Sequence, residues 1–324
     1  MRGNDAELGT EERFQVKAAW LYHIEGLTQE AIAKHLDVTR LRVNRALKEA
    51  KRNGIIRVQI NSPYSPCLNL ESEFKKKYNL DDVSILPRPS DEANAQKIVG
   101  AELGRYISDL LSKSQIKSFG IAWGSAIHYA TRSVIPCERK DLEIISVMGG
   151  LSEGSDVNGF EITTRLSEHF SAKRTFFTAP LYASSEQSRD TIMIQDVFQN
   201  IITKIRRADA TVTGVGDASS KSIIIRHGLP KDISMESLTA AGAVGDLMGY
   251  YLNTHGEMID HPINHRVIGL SPLDLKKMPN AILAAGGKHK VPIISAALKM
   301  GIFNVLVTDQ RTAESILKWD KMNP

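Results

Sequence analysis

Cysteine is nearly absent: Cys67 and Cys137 are the only two in 324 residues, and they stand far apart. That usage supports neither a disulfide framework nor a thiolate metal site, and it points to a reducing cytosol. Long apolar runs are missing too. No stretch reaches the length of a bilayer-spanning helix, so no membrane partner is expected. The start of the chain, MRGNDAELGTEER, is polar and has no apolar stretch of signal-peptide type. Repeats with periods of a solenoid and low-complexity tracts are likewise absent.

What the chain has is length and an uneven charge. Its 324 residues are comfortable for two domains, and a hydrophobic share of 42% suffices for an ordinary core. The formal net charge is only +4. Between Lys34 and Arg57, however, eight basic residues (Lys34, Arg40, Arg42, Arg45, Lys48, Lys51, Arg52, Arg57) face two acidic ones, Asp37 and Glu49. The remainder of the chain is slightly acidic. A basic block at one end points to a polyanion-binding module. A solvated helix face is the commoner origin of such a block, so the surrounding pattern decides.

That pattern is specific. Val16, Ala19, Trp20, His23, Ile24 and Leu27 recur at three- and four-residue intervals and predict an amphipathic helix over roughly residues 12–25, stopped by Gly26. Thr28 offers the N-cap of a short second helix, TQEAIAKHL, with Ile32, Ala33 and Leu36 toward the core. The chain then breaks at Leu36-Asp37-Val38, where Asp tolerates left-handed backbone angles better than most residues. Thr39 caps a third helix ending at Gly54, with Val43, Leu47 and Ala50 as its buried stripe.

Arg40, Arg42, Asn44, Arg45 and Lys48 lie mostly off that stripe, as a recognition helix requires. Arginine offers a two-pronged donor to guanine, and asparagine suits adenine. Lys51, Arg52 and Arg57 are placed for phosphates. Ile55-Ile56-Arg57-Val58-Gln59-Ile60 alternates and reads as the strand of a wing. The expected partner is double-stranded operator DNA. Its candidate contacts are Thr28, Gln29, Thr39, Arg40, Arg42, Asn44, Arg45, Lys48 and Arg57. A three-helix protein-docking module is the competing reading of the same elements.

The Pro/Ser-rich segment Asn61–Pro66 marks a boundary, with a DNA-binding domain over 1–62 and a second domain over 67–324. Residues 67–79 read as a helix. From Val83 onward strands (VSIL, FGIAW, LEIISVM, ATVTGVG, NAILAAGG, FNVLVTD) alternate with helices (ANAQKIVGAELGRYISDLL, GSAIHYATRSV, GFEITTRLSEHF, VPIISAALKMG, QRTAESILKW). This order predicts a mostly parallel sheet covered on both faces. Four strands end in glycine-containing loops: Trp123-Gly124-Ser125, Met148-Gly149-Gly150, Gly214-Val215-Gly216 and Ala285 to Lys290. In open α/β sheets ligands sit beyond the carboxyl ends of the strands, so four such loops in register predict one shared pocket. Lys288 and Lys290 would bring it positive charge. Trp20 and Trp319 read as core residues, and Trp123 as either core or pocket wall.

These segments, from AAWLYHIEGLTQEAIAKHLDVTRLRVNRALKEAKRNGII through FGIAWG, MGGL, TGVG and AGAVGDLMGYYLNTHGEMID to AILAAGGKHKVPIISAALKMGIFNVLVTD, resemble the SorC family of DeoR-type sugar-binding transcriptional regulators over nearly the whole chain. The resemblance implies an α/β fold. It would pair an N-terminal winged helix-turn-helix with a C-terminal Rossmann-like effector-binding domain of the NagB/RpiA type. It also implies a homo-oligomer, a tetramer built as a dimer of dimers, acting in the cytoplasm with no cofactor, most commonly as a repressor relieved by its effector. The effector would be a sugar, polyol or sugar phosphate. Its pocket would comprise Gly124, Ser125, Ala126, Gly150, Leu151, Asn158, Gly216, Asp246 and Lys290. Phosphosugar-binding members carry a hydroxyl residue at both positions after the first glycine. Here they are Ser125 and Ala126, which leaves phosphorylated and free effectors equally open.

Two further readings are weaker. Sugar-phosphate isomerases and deaminases share the implied effector fold, but such an enzyme needs a base beside the bound carbons, and Asp246 has no acid to pair with. His255, Asp260, His261 and His265 cluster in one stretch that reads as a loop between strands, with solvated or hydrogen-bonded histidines and no metal expected.

Overall fold

The computed structural model describes residues 3–56, 62, 64–88, 94–151 and 157–324. The chain divides into two compact units, Met1–Ser62 and Pro63–Pro324.

The first unit holds α1 (Gly3–His23), α2 (Gln29–Leu36) and α3 (Arg40–Arg52). The Thr28 hydroxyl accepts from Ala31 N at 3.2 Å, and the Thr39 hydroxyl accepts from Arg42 N at 3.3 Å, so both short helices start at their capping threonines. Asp37 between them adopts φ +52°, the left-handed region, and its N–H closes the end of α2 on the Ala33 and Lys34 carbonyls. Leu21, Ile32, Ala33 and Val43 form a small core, flanked by Leu27, Leu36, Val38 and Leu47.

α1 departs from expectation. It starts nine residues earlier than the periodicity indicates, and its buried face is Gln15, Ala18, Ala19 and Leu21. Trp20 is 57% exposed and Ile24 65%, with Val16 beside them, so Trp20 is not a core residue. The reason lies in α3. Gln15 donates to Glu49 Oε2 at 3.1 Å and accepts from Asn53 Nδ2 at 3.3 Å, and the small Ala18 and Ala19 are buried on the same helix. A polar anchor with two small residues therefore outcompeted the larger apolar stripe. Most of the expected wing strand, residues 57–60 with Arg57, lies outside the described residues.

The second unit opens with α4 (Ser65–Tyr78), β1 (Asp82–Leu86), α5 (Ala95–Leu111), β2 (Ser118–Ile121), α6 (Ser125–Thr131) and β3 (Glu143–Ser146). It continues with α7 (Gly159–Phe170), β4 (Lys173–Thr175), α8 (Glu186–Met193), α9 (Asp196–Arg206), β5 (Ala210–Thr213), β6 (Val215–Asp217), α10 (Ile223–His227) and α11 (Met235–Ala240). It closes with β7 (Gly245–Leu247), β8 (Tyr250–Leu252), β9 (Ala281–Ala284), α12 (Val291–Lys299), β10 (Val305–Asp309) and α13 (Gln310–Met322).

Seven strands form one parallel sheet in the order β1-β10-β9-β5-β2-β3-β4. Every residue of β5, β9 and β10 is buried, as expected for central parallel strands covered on both faces. Strands β6, β7 and β8 form a separate antiparallel sheet. By its sequence ATVTGVG reads as one strand. Instead β5 stops at Thr213, and after Gly214 the chain leaves the parallel sheet to pair Gly216 with Asp246. Glycine there leaves room for the Asp246 carboxylate: a Cβ on residue 216 would lie 2.1 Å from Asp246 Oδ1.

Candidate functional site

The strand order fixes where a ligand goes. From β2 the chain winds outward to β3 and β4, then returns on the other side through β5, β9 and β10. The direction of winding reverses between β2 and β5, and open parallel sheets bind ligands at the carboxyl ends flanking such a switch. A cavity of about 130 Å³ opens there. Ala122 to Ile127 line it after β2, Gly214 to Asp217 after β5, and Ala284 at the end of β9. The antiparallel sheet closes one wall with Asp246 and Met248, and the segment before α12 supplies His289 and Lys290.

Its electrostatics are unusual. Asp217 is 4% exposed and Asp246 3%. Lys290 is half-buried and donates to the Val215 carbonyl at 2.8 Å. Among the described residues, Lys290 makes no ion pair with either carboxylate. Asp246 accepts from Gly249 N through Oδ2 at 3.1 Å, while its Oδ1 is buried without a donor. Burial pushes the Asp246 carboxyl up to about 6, against the Gly249 N–H and the Lys290 charge, which pull it down. Burial lowers Lys290, and Asp217 and Asp246 partly offset it. Asp217 accepts from the Ser219 hydroxyl and stands 4.0 Å from His289 Nε2. Separated, incompletely paired charges of both signs suit a ligand rich in hydroxyls or carrying an anion.

The cavity brings together Gly124, Ser125, Ala126, Gly216, Asp246 and Lys290. Gly150, Leu151 and Asn158 do not line it; they border a neighbouring groove with Phe160, Phe176 and Phe177. Backbone pairing holds Gly149 and Gly150 away from the cavity: Gly149 N donates to Ile268 O, and Gly150 N to Ala179 O. Asn158 accepts from Glu161 N at 2.8 Å and so caps α7. Trp123 serves as both core and wall, 8% exposed with its indole N–H on the Gly149 carbonyl at 3.0 Å. Sequence reasoning missed Asp217 and Gln96, which also line the cavity, and reached His289 only as part of the Ala285 to Lys290 loop. Asp217 stands directly after the Gly214-Val215-Gly216 loop, the one signal that would have found it.

The histidine-rich stretch is engaged locally. His261 Nδ1 accepts from Ile263 N at 3.2 Å, and His265 Nδ1 lies 3.4 Å from Glu186. On α3, Arg42 reaches back to Glu11 and lies 4.7 Å over the Phe14 ring. Asn44 donates to Gln29 Oε1 at 3.4 Å, and Arg45 pairs with Glu49 at 3.2 Å. Arg40 and Lys48 are exposed.

Residues 62–318 match the family described as "Putative sugar-binding domain". The chain is 31% identical over 314 residues to the transcriptional regulator LsrR of Enterobacter sp. (strain 638), covering 95% of this chain and 94% of that protein. The chain belongs to the SorC family of transcriptional regulators. It is also 31% identical over 312 residues to LsrR of Escherichia coli (strain K12), covering 95% of each. The full-length sorbitol operon regulator SorC from Klebsiella pneumoniae superposes with a TM-score of 0.71 at 23% identity, covering 95% of this chain and 99% of that one. A DeoR family transcriptional regulator from Listeria monocytogenes gives 0.69 at 23% identity, over 77% and 98%. At that identity the two structures establish the fold alone. In SorC-family terms, residues 62–318 contain the cavity at the sheet's switch point.

Proposed function

We propose that this SorC-family protein is a cytoplasmic, homotetrameric repressor of carbohydrate or polyol genes. It holds operator DNA through a winged helix-turn-helix formed by α2, α3 and the following segment. It lets go when a sugar, polyol or sugar phosphate enters the cavity of its Rossmann-like, NagB/RpiA-type unit. The observation that carries this reading is the cavity, where Asp217, Asp246 and Lys290 are held without ion pairs to one another. Such groups weaken a fold unless something else satisfies them, and ligand hydroxyls do so. The two carboxylates accept hydroxyl protons, and the remaining N–H groups of Lys290 donate to a hydroxyl or a phosphate. Catalysis is not part of the reading, because the relatives that align over nearly the whole chain are transcriptional regulators.

The test is a thermal-shift screen of the full chain against sugars, polyols and their phosphates. A ligand at 100 times its Kd adds about 2.7 kcal/mol of stability. One compound that stabilises the wild type but not Lys290→Ala supports the reading and decides whether the effector is phosphorylated. No response to any carbohydrate refutes it.

A further inference from the structure

Helix α3 carries a feature that its charges do not explain. Leu41 is 80% exposed, the most exposed of the large apolar side chains among the described residues. Successive helical residues are rotated by about 100°, which places Leu41 opposite the buried Val43, Ala46 and Ala50. Leu41 therefore sits at the centre of the outward face, with Asn44, Arg45, Lys48 and Arg52 around it. The Thr39 cap fixes α3 to begin at Arg40, so Leu41 lies in the first turn, where recognition helices meet base edges. Arg42 in the same turn leans back onto Glu11 and Phe14.

We propose that Leu41 is a sequence-reading residue that packs against the 5-methyl group of a thymine. That methyl is the one apolar group on base edges in the major groove. A leucine gives nothing to phosphate binding, so its place at the centre of a basic face is accounted for by an apolar target in the groove. Arg40 and Arg42, on the flanks of this face, fall to the backbone, and Asn44, Arg45 and Lys48 remain as polar readers. The inference rests on the reading of α2 and α3 as a DNA-binding pair.

The test starts with a duplex enriched from a random 40-base-pair pool by the full-length protein. Each thymine of the enriched duplex is then replaced in turn by deoxyuracil, which removes only the methyl. At one thymine, or one symmetry-related pair, the wild type loses affinity by about fourfold per contact, the equivalent of one buried methyl group. Leu41→Ala binds the thymine and uracil duplexes equally at that position, and Leu41→Met restores the difference. Binding to a random-sequence duplex is the same for all three proteins. An unchanged thymine-to-uracil ratio in Leu41→Ala overturns the proposal. If that variant also changes the oligomeric mass, Leu41 belongs to a protein contact. Failure to enrich any duplex overturns the DNA-binding reading together with this one.

Discussion

Replacing Asp246 with Asn should strengthen the fold while removing its ligand. Burial raises this carboxyl from 3.8 to about 6, roughly two pH units, and each unit corresponds to about 1.36 kcal/mol. The folded state therefore holds the Asp246 proton more tightly than the unfolded state. Between those pH values the folded chain carries more protons, so this residue's contribution falls as pH rises and is at its worst above about pH 6. The cost at neutral pH approaches about 3 kcal/mol. Asn keeps an oxygen for the Gly249 N–H and removes the charge. The Lys290 attraction is already contained in that shift, and the buried amide N–H groups of Asn, left without acceptors, trim the gain to about 1–2 kcal/mol.

Urea denaturation of the full chain at pH 4.5 and pH 8 measures the gain, followed by tryptophan fluorescence. Trp123 and the half-buried Trp319 report on the second unit, and the exposed Trp20 contributes little change. The stability of Asp246→Asn relative to the wild type should rise by about 2 kcal/mol from pH 4.5 to pH 8, and the variant should lose the response to any stabilising carbohydrate. A variant less stable than the wild type at pH 8, or a gap that does not change with pH, would show that the buried Asp246 charge does not burden the fold.

Three other substitutions probe the frame. Gly216→Ala drives a Cβ to 2.1 Å from Asp246 Oδ1 and should cost about 1–3 kcal/mol in the same urea experiment, with weakened ligand response. Asp37→Gly relieves a left-handed non-glycine residue between α2 and α3 and should raise the first unit's stability by roughly 0.5–1 kcal/mol, read by hydrogen exchange of α2 amides. Asp320 is buried and receives Lys77, Tyr78 and Ser295, so Asp320→Ala should cost about 3 kcal/mol or more by leaving those donors unpaired. Exchange of α4 and α13 amides would locate the loss.

Legibility in the sequence followed locality. Capping threonines, the left-handed Asp37 and the strand–helix alternation are governed by neighbouring residues, and Thr28, Thr39 and Gly159–Phe170 appear where their local chemistry puts them. The face of α1 was not legible, because it depends on Gln15 meeting Glu49 and Asn53, more than thirty residues away. The antiparallel sheet was hidden for a related reason. β6, β7 and β8 are three residues each, too short for any periodicity to show. Within the site, the loops after β2 and β5 and before α12 converge, since each follows a strand directly. Gly150 and Leu151 do not, because the backbone at Gly149 and Gly150 is tied to Ile268 and Ala179, and Asn158 does not, because it caps α7.

In the proposed function, a ligand in the cavity governs the hold on DNA. The direct measurement is the affinity of the enriched duplex for the full chain, by fluorescence anisotropy, with and without the stabilising carbohydrate. A coupling energy of about 1–3 kcal/mol corresponds to a loss of affinity of roughly 5- to 150-fold. That loss is expected in the wild type and not in Lys290→Ala, which should bind the free duplex as the wild type does. A carbohydrate that binds the wild type yet leaves its DNA affinity unchanged contradicts the proposed function.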